Sequence, residues 1–343
     1  MQISEWQKAA VRPQLWIVIV NYRTAGLAVD CLRSLSAQAD NSGRTRVIVA
    51  DNASGDGSTE CLAAALADNG WSGWAEVLSL PRNGGFAYGN NAGIAVALGS
   101  TCPPDYVLLL NPDTLVRPGA ISALVDFMEA HPQAGIAGSL LENDSGGVDC
   151  SAHRTPSPLG ELDGAARLGP LSRLLQRYAV SPPVRSAAHE CDWVSGASMI
   201  IRREVIAGIG PMDEGYFLYF EEVDFCCRAR ASGWSVWYVP QSRVLHLEGA
   251  STGIRAGAKR RAAYWYDSRR RFFVKHHGVG GLLLADLLWA AGRLSFLLRC
   301  ALGMTRQGLH ADPQRFMLDL LWGDLRAVLG GRIPPAATAG TRR

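Results

Sequence analysis

Short apolar runs alternate with amphipathic stretches along the first part of the chain, from residue 15 onward. This alternation is typical of a parallel β-sheet whose strands are buried between covering helices. The pattern predicts strands at Leu15 to Val20, Val47 to Ala50, Glu76 to Leu80 and Tyr106 to Leu110. It predicts helices at Leu27 to Ala37, Thr59 to Asp68, Asn90 to Leu98 and Ala120 to Ala130. An open α/β sheet is therefore expected here.

The periodicity breaks in the middle of the chain. Residues 142 to 192 are rich in Gly, Pro, Ser and Ala, which predicts a long connection or a flexible loop over the site. The pattern resumes with structure at Trp193 to Ile201, an acidic helix near Glu221 to Ala231 and a strand at Val236 to Pro240. A turn carrying His246 is expected after that strand.

A polar cluster follows each of the four predicted strands. The clusters are Asn21-Tyr22-Arg23, Asp51-Asn52-Ala53-Ser54, Arg82-Asn83-Gly84-Gly85 and Asn111-Pro112-Asp113. Open α/β sheets bind ligands beyond the carboxyl ends of their strands, so we expect the clusters to meet in one crevice. The Gly-rich stretch Gly84 to Gly93 does not follow the first strand, which disfavours a dinucleotide-binding enzyme.

Two of these clusters could bind a nucleotide. The carboxylate and amide of Asp51 and Asn52 can hydrogen-bond a base or a ribose, or they can cap a helix. Asp113 emerges at the end of an apolar strand, where it could hold a divalent cation on a diphosphate or form an ordinary turn. His246 on its own is either a metal ligand or a structural residue.

Three carboxylates lie close together directly after an aromatic run. Glu221, Glu222 and Asp224 follow Tyr216 to Phe220 and open the predicted acidic helix. Acidic residues favour a helix N-terminus in any protein. Apolar neighbours also desolvate a carboxylate and raise its pKa, which suits a general base.

Composition excludes several classes of protein. The chain has 343 residues, of which 48% are hydrophobic and 19% charged, so disordered, collagen-like and coiled-coil proteins are excluded. The net charge of +3 hides an asymmetry, because residues 243 to 343 hold 17 basic and 6 acidic residues. A basic segment with leucines and aromatics suits anionic lipid or phosphates at least as well as nucleic acid.

Cysteine spacing and hydropathy bear on location. The eight cysteines include no Cys-x-x-Cys pair, and Met1 to Pro13 contains no apolar run typical of a signal peptide. We therefore expect a reducing cytoplasm. The most apolar stretch, Val279 to Met304, is interrupted by Asp286, Arg293 and Arg299, so it is expected to lie on a membrane and not to cross it.

Seven segments in order give the chain a family resemblance. They are Ile17 to Tyr22, Val49 to Ser54, Arg82 to Ala87, Leu110 to Asp113, Trp193 to Ala197, Phe217 to Asp224, and His246. From about Leu15 to Ser251 the chain resembles the family 2 inverting glycosyltransferases, in particular bacterial rhamnosyltransferase-like enzymes of surface polysaccharide synthesis. Two motifs depart from the family: its D-x-D is Asn111-Pro112-Asp113 here, and its Glu-Asp is Glu221-Glu222.

The resemblance implies a GT-A fold, a mostly parallel open sheet that binds a nucleotide sugar. It also implies a catalytic domain at 15–251 after a tail at 1–14, and composition predicts a basic, amphipathic helical extension at 252–343. The implied donor-binding residues are Asn21, Tyr22, Asp51, Asn52, Ser54, Asn83, Gly84, Gly85, Phe86, Asn91 and Asn111. Asp113 and His246 would hold Mg²⁺ or Mn²⁺. Glu222 would be the base, with Glu221 as the alternative and Asp224 beside them.

The expected function is that of a cytoplasmic, metal-dependent, inverting glycosyltransferase of the hexosyltransferase type. It would add a sugar, with rhamnose from dTDP-rhamnose as the candidate, to a lipid-linked surface glycan at the inner face of the cell membrane. No nucleic acid partner is expected. A nucleotidyltransferase that makes sugar nucleotides and a non-catalytic nucleotide-sugar-binding protein are the alternatives. The C-terminal segment either binds the membrane surface, packs on the catalytic domain or forms a homodimer interface.

Overall fold

A computed structural model describes residues 14–38, 44–247, 259–305 and 312–331. All but the last residue of the predicted N-terminal tail lies outside the described residues. The predicted domain boundary at residue 251 lies outside them too.

The described elements alternate as the sequence pattern predicts. The strands are β1 (Leu15–Asn21), β2 (Thr45–Asp51), β3 (Ala75–Ser79), β4 (Tyr106–Leu110), β5 (Thr114–Val116), β6 (Ala134–Glu142), β7 (Val148–Asp149), β8 (Ala152–His153), β9 (His189–Cys191), β10 (Trp193–Val194), β11 (Ser198–Arg202) and β12 (Ser235–His246). The helices are α1 (Ala25–Ser36), α2 (Ser58–Asp68), α3 (Gly85–Leu98), α4 (Ala120–Ala130), α5 (Pro158–Ala166), α6 (Gly169–Leu174), α7 (Arg203–Ile209), α8 (Glu221–Ala231), α9 (Ala263–Ala301) and α10 (Phe316–Leu329).

One mixed sheet of ten strands forms the centre of the described structure. Its order is β3-β2-β1-β4-β11-β6-β12-β5, with β7 beside β6 and β9 beside β12. Strands β1 to β4 are parallel, β11 is antiparallel to both of its neighbours, and β12 is parallel to β6. The prediction of a mostly parallel α/β sheet is confirmed.

The central strands β1 and β4 are mostly apolar because helices cover both faces of the sheet. Every residue of β1 and β4 is buried. Helices α1, α2 and α4 pack on one face, and α3, α7 and α8 pack on the other. In the register of β1 and β2, Asn21 lies opposite Asp51, so the polar clusters that follow these strands meet at one edge.

The prediction of a flexible loop over residues 142 to 192 is wrong in its main part. This region contains β7, β8, α5, α6 and β9. Its small residues allow close helix packing: a Cβ on Gly292 of α9 would lie only 2.8 Å from the Leu162 carbonyl oxygen and 2.9 Å from the Ala166 nitrogen. The composition that suggested a loop instead allows the backbones of α5 and α9 to approach each other.

His246 does not lie in a turn. Strand β12 continues through a register shift between Val239 and Arg243, so Pro240 falls in an irregular part of the ladder. A proline lacks the N–H that a regular ladder needs, and a bulge accommodates it. Beyond the shift, His246 pairs with Thr114 of β5, directly after Asp113.

Two basic residues of the C-terminal segment, Arg269 and Arg270, are largely buried. The Arg269 side chain is 1% exposed and contacts Glu161, Asp286 and Asp324 at 2.8 to 3.1 Å. Arg270 bonds Asp324. The interpretation of these arginines as a surface for anionic lipid is therefore wrong, because they hold α5, α9 and α10 together.

Candidate active site

The polar clusters meet in a crevice beyond the carboxyl ends of β1, β2 and β4. Its lining residues are Val20, Tyr22, Thr24, Asn52, Asn83, Gly85, Phe86, Asn111, Pro112, Phe217 and Leu218. A second cavity of about 420 Å³ is lined in part by Asp113 and Leu247. The turn from Asn111 to Asp113 therefore borders both cavities.

Asn21 and Asp51 are buried and support the floor of the crevice. One Asp51 oxygen accepts hydrogen bonds from the Asn21 amide at 2.7 Å and the Ser54 hydroxyl at 2.6 Å. Its other oxygen accepts from the Ser54 backbone N–H and the Thr59 hydroxyl. These bonds fix the loop after β2, and direct contact with a nucleoside stays a prediction for Asn21, Asp51 and Ser54.

The Gly84–Phe86 segment is held between two walls of the crevice. The Asn52 amide donates to the Gly85 carbonyl at 2.9 Å, and the Phe86 N–H donates to the Phe217 carbonyl at 2.9 Å. Gly85 has φ +89°, and a Cβ there would lie 2.0 Å from the Phe217 oxygen. Only glycine fits at this position. The close approach that Gly85 allows brings Phe217 to the crevice. It also explains why α3 begins at Gly85 and not near Asn90.

Asp113 and His246 come together from positions far apart in sequence. The His246 Nε2 atom lies 3.4 Å from Asp113 Oδ1 and 3.4 Å from the Asn111 amide nitrogen. Asp113 is almost fully buried and His246 nearly so. The pairing of β12 with β5 creates this site, and the expected juxtaposition of the two side chains is present.

The donor set of this pair fits a divalent cation on a diphosphate. A carboxylate oxygen and an imidazole nitrogen are both ligands for such ions, and phosphate oxygens and water complete the shell. Among the described residues there is no cluster of three His, Cys, Asp or Glu that could hold a metal ion. A cation here would accordingly depend on the diphosphate for several of its ligands.

Glu221 and Glu222 form a desolvated pair of carboxyl groups at the start of α8. Within the described structure, one oxygen of each has no hydrogen-bond partner. Burial raises the pKa of Glu222 to about 7. Burial and the neighbouring Glu222 charge raise the pKa of Glu221 well above its usual range. Glu221 is 2% exposed, whereas Glu222 is half-buried.

Glu222 lies near the crevice, next to the segment formed by Gly196 and Ala197. A Cβ on Gly196 would lie 3.2 Å from the Phe86 ring and 3.8 Å from the Glu222 Cβ. The next residue, Ala197, accepts the Asn111 N–H at 3.1 Å. Glu222 and the turn that carries Asp113 are therefore both neighbours of the segment formed by Gly196 and Ala197.

Asp224 lies in an ion-pair network away from the crevice. It contacts Arg228, Lys275 and His276 at 2.8 to 2.9 Å and is fully buried. Hydrogen bonds from His276 and Lys275 outweigh burial and hold the pKa of Asp224 far below its usual range. This arrangement favours a structural role for Asp224 over proton transfer.

The crevice lining includes residues beyond those predicted and leaves out five that were: Asn21, Asp51, Ser54, Gly84 and Asn91. Asn91 points the other way, bonding the Met212 backbone and Glu214. Thr24 lines the crevice and donates to Asn21, and its position directly after the first polar cluster was a usable signal. The contact of Lys275 with Asp224 of α8 has no signal in the sequence.

Comparison with known sequences gives the chain clear relatives. Residues 16–206 match the sequence model of the family described as Glycosyl transferase family 2. An N-acetylglucosaminyl-diphospho-decaprenol L-rhamnosyltransferase of Mycobacterium tuberculosis (strain CDC 1551 / Oshkosh) is 31% identical over 314 residues, covering 87% of this chain and 95% of the relative. Rhamnosyltransferase WbbL of Escherichia coli (strain K12) is 25% identical, covering 47% of this chain and 60% of the relative.

Solved structures share the fold at low sequence identity. GalNAc-T7 with UDP, GalNAc and Mn²⁺ has a TM-score of 0.57 and 15% identity; the match covers 95% of this chain and 59% of that one. A mannosyltransferase of Pyrobaculum calidifontis with GDP-Man and Mn²⁺ has a TM-score of 0.54 and 14% identity, covering 94% and 89%. The fold is the GT-A fold expected from the sequence.

Proposed function

Because the chain belongs to glycosyl transferase family 2, we propose that it moves rhamnose from dTDP-rhamnose to a lipid-linked N-acetylglucosaminyl diphosphate, with inversion at the anomeric carbon. The chain is a glycosyltransferase with a GT-A fold. The two alternatives weighed from the sequence, a nucleotidyltransferase and a non-catalytic binding protein, do not agree with this family.

The proposed chemistry rests on one observation, the surroundings of the Glu222 carboxylate. It is half-buried, adjoins the crevice and has an oxygen without a hydrogen-bond partner within the described structure. In the proposed reaction the Glu222 carboxylate accepts the proton of an acceptor hydroxyl as the hydroxyl oxygen bonds to the anomeric carbon. The bond from that carbon to the nucleoside diphosphate breaks at the same time. A pKa of about 7 suits a base that works near neutral pH.

The choice of rhamnose and of the acceptor class rests on the relatives. Two of them are named rhamnosyltransferases, and the M. tuberculosis relative, which aligns over most of both chains, has the acceptor class in its name. The amides of Asn52, Asn83 and Asn111 along the crevice suit a nucleotide, since each offers both a donor and an acceptor.

A divalent cation is the proposed cofactor. Asp113 and His246 would hold it, and the chemistry it supplies is neutralisation of negative charge on the departing diphosphate. The Mn²⁺ in both solved structures supports this proposal. Asn111, in place of the first carboxylate of the family's D-x-D, contacts His246 and orients its ring.

The C-terminal helices are proposed to rest on the inner face of the cell membrane. On α9, exposed leucines recur on one side at Leu283, Leu287, Leu294 and Leu298, and the exposed Leu302 directly follows the helix. On α10 the exposed apolar side chains are Leu318, Trp322, Leu325 and Leu329. One described helix, α9, is long and apolar enough to cross a membrane, but 39% of its apolar window is buried in the protein. Peripheral contact fits this half-buried state, because the other side of α9 packs on α5 and α10.

The direct test is a transfer assay with purified protein, dTDP-rhamnose, Mn²⁺ and a synthetic N-acetylglucosaminyl diphosphate carrying a short alkyl chain. Mass spectrometry should detect one added deoxyhexose, with release of dTDP in equal amount. UDP-GalNAc and GDP-mannose serve as comparison donors. Transfer from either of them in preference to dTDP-rhamnose would overturn the proposed donor but not the family membership.

A further inference from the structure

One side of α9 lies along the segment that carries the proposed base. Residues 264, 268, 271 and 275 recur at the spacing of a single helix face. The Ser268 hydroxyl donates to the Leu218 carbonyl at 3.0 Å, and Arg271 forms hydrogen bonds with Asp213. Lys275 contacts both Asp213 and Asp224 at 2.8 Å. These bonds fix the position of this helix face.

Tyr264 is the first residue of that face, and its ring joins an aromatic group at the mouth of the crevice. Its ring centroid lies 5.4 Å from that of Phe217 and 6.3 Å from that of Tyr219. Phe217 is 38% exposed and lines the crevice, and its carbonyl is held by Phe86. We call Phe217, Tyr219 and Tyr264 the aromatic platform.

The platform lies on the Glu222 side of the crevice. Tyr219 and Phe220 both have φ +71°, a conformation that side chains rarely adopt, and they lead directly into Glu221 and Glu222. Such strain persists where the surrounding structure imposes it and is often found at functional sites. Here it turns the chain from the platform into the helix that carries the base.

We propose that the aromatic platform binds the pyranose ring of the acceptor, an inference that rests on the proposed function. Flat rings at the edge of a pocket pack well on the C–H face of a sugar, and a carboxylate beside them meets the hydroxyl groups. The amides that line the crevice, and the Asp113–His246 pair beside the turn that begins at Asn111, suit the nucleotide diphosphate. This leaves the aromatic platform for the acceptor, and the C-terminal helix, which lies beyond the family match, completes the acceptor site.

The test replaces the ring of Tyr264. The Tyr264→Leu variant should raise the acceptor KM about three- to tenfold, because an aromatic contact of this kind contributes about 0.5–1.5 kcal/mol. The donor KM and kcat should stay within about twofold by the same account, since Tyr264 touches neither the donor nor the reacting atoms. Tyr264→Phe should match the wild type. Tyr178→Leu, which removes a half-buried tyrosine elsewhere, is the matched control.

Binding without turnover separates this proposal from the proposed function. Octyl N-acetylglucosaminide is the probe, observed by saturation-transfer NMR in the absence of donor. Wild type and Tyr264→Phe should bind the probe with the same Kd, and Tyr264→Leu should bind it about three- to tenfold more weakly, even if the wild type transfers no rhamnose. No binding by the wild type, equal binding by wild type and Tyr264→Leu, or a changed donor KM alone would overturn the platform. Should Tyr264→Leu unfold, Phe217→Leu should weaken binding of the probe to the same extent.

Discussion

Glu222 and Glu221 are neighbours with opposite expected behaviour. Burial and the nearby Glu222 charge raise the pKa of Glu221 well above its usual range, whereas burial raises the pKa of Glu222 to about 7. Glu222→Gln should lower kcat by about 10² to 10⁴ with little change in donor KM, because the amide cannot accept the proton. Glu221→Gln, its matched control, makes the same exchange at a side chain that is 2% exposed and should keep kcat within about threefold. Steady-state kinetics with the two variants decides the base, and the reverse result would assign it to Glu221.

The raised pKa of Glu222 predicts the direction of the pH dependence. A base acts in its deprotonated form, so kcat should rise with pH through about 7 and level off above it. Kinetics at saturating donor and acceptor across this range provide the measurement. A kcat that is flat from mildly acidic to mildly basic pH would mean that burial does not raise the pKa of the carboxylate that acts as base.

Asp113 and His246 can be tested through binding alone. A ligand that binds only the folded state raises its stability, so dTDP with Mn²⁺ should raise the melting temperature and EDTA should remove the effect. Asp113→Asn and His246→Ala should both lose the Mn²⁺-dependent part of the shift. Asp68→Asn, an exposed carboxylate at the end of α2, is the control. A full shift in EDTA for the wild type would contradict the assignment.

At the scale of elements, Lys275 links α9 to both the base-bearing helix and the segment before it. Its ammonium group contacts Asp224 and Asp213, and Asp224 is fully buried. Lys275→Met leaves Asp224 with Arg228 and His276 only, so the free energy of unfolding should fall by about 2–3 kcal/mol. Urea unfolding measures the loss.

The surface pair of Arg230 and Asp192 gives the comparison for that variant. Arg230→Met should cost less than about 1 kcal/mol, because solvent screens an exposed pair. If the two variants unfold at the same urea concentration, α9 does not stabilise the base-bearing helix in the way described.

The sequence predicted the elements whose signal is local. The four buried strands and the helix Ala120–Ala130 follow from apolar runs and their spacing, and the structure places them within a few residues. The small residues of α5 misled the prediction, because Gly and Ala suit both a loop and a close helix contact. His246 was misplaced because Pro240 suggested the end of a strand that in fact continues through a bulge.

The rest of the site depends on contacts between distant residues. The sequence supplied Asp113 and His246 as separate candidates, but only the pairing of β12 with β5 brings them together. Charge alone could not tell that Arg269 would be buried among three carboxylates, since their positions in the sequence are unrelated. The choice of Glu222 as the base came from the family resemblance and not from the pattern of hydrophobic and polar residues.

At the scale of the whole molecule, the exposed leucines of α9 predict contact with a lipid surface. The protein should sediment with anionic liposomes, and high salt should release little of it because most of the contact is apolar. Leu287→Glu with Leu294→Glu should abolish sedimentation while leaving transfer to a short-chain acceptor unchanged, because both side chains are exposed. If the double variant instead converts a dimer to a monomer by light scattering, this face is a dimer interface.

The central claim is a single displacement at the anomeric carbon, with Glu222 as base and a nucleoside diphosphate as leaving group. The most direct measurement is the anomeric configuration of the transferred rhamnose, read by NMR from the purified product of the wild-type reaction. A configuration opposite to that in dTDP-rhamnose, with loss of product in Glu222→Gln, is the predicted result. A retained configuration, or normal product formation by Glu222→Gln, would contradict the account.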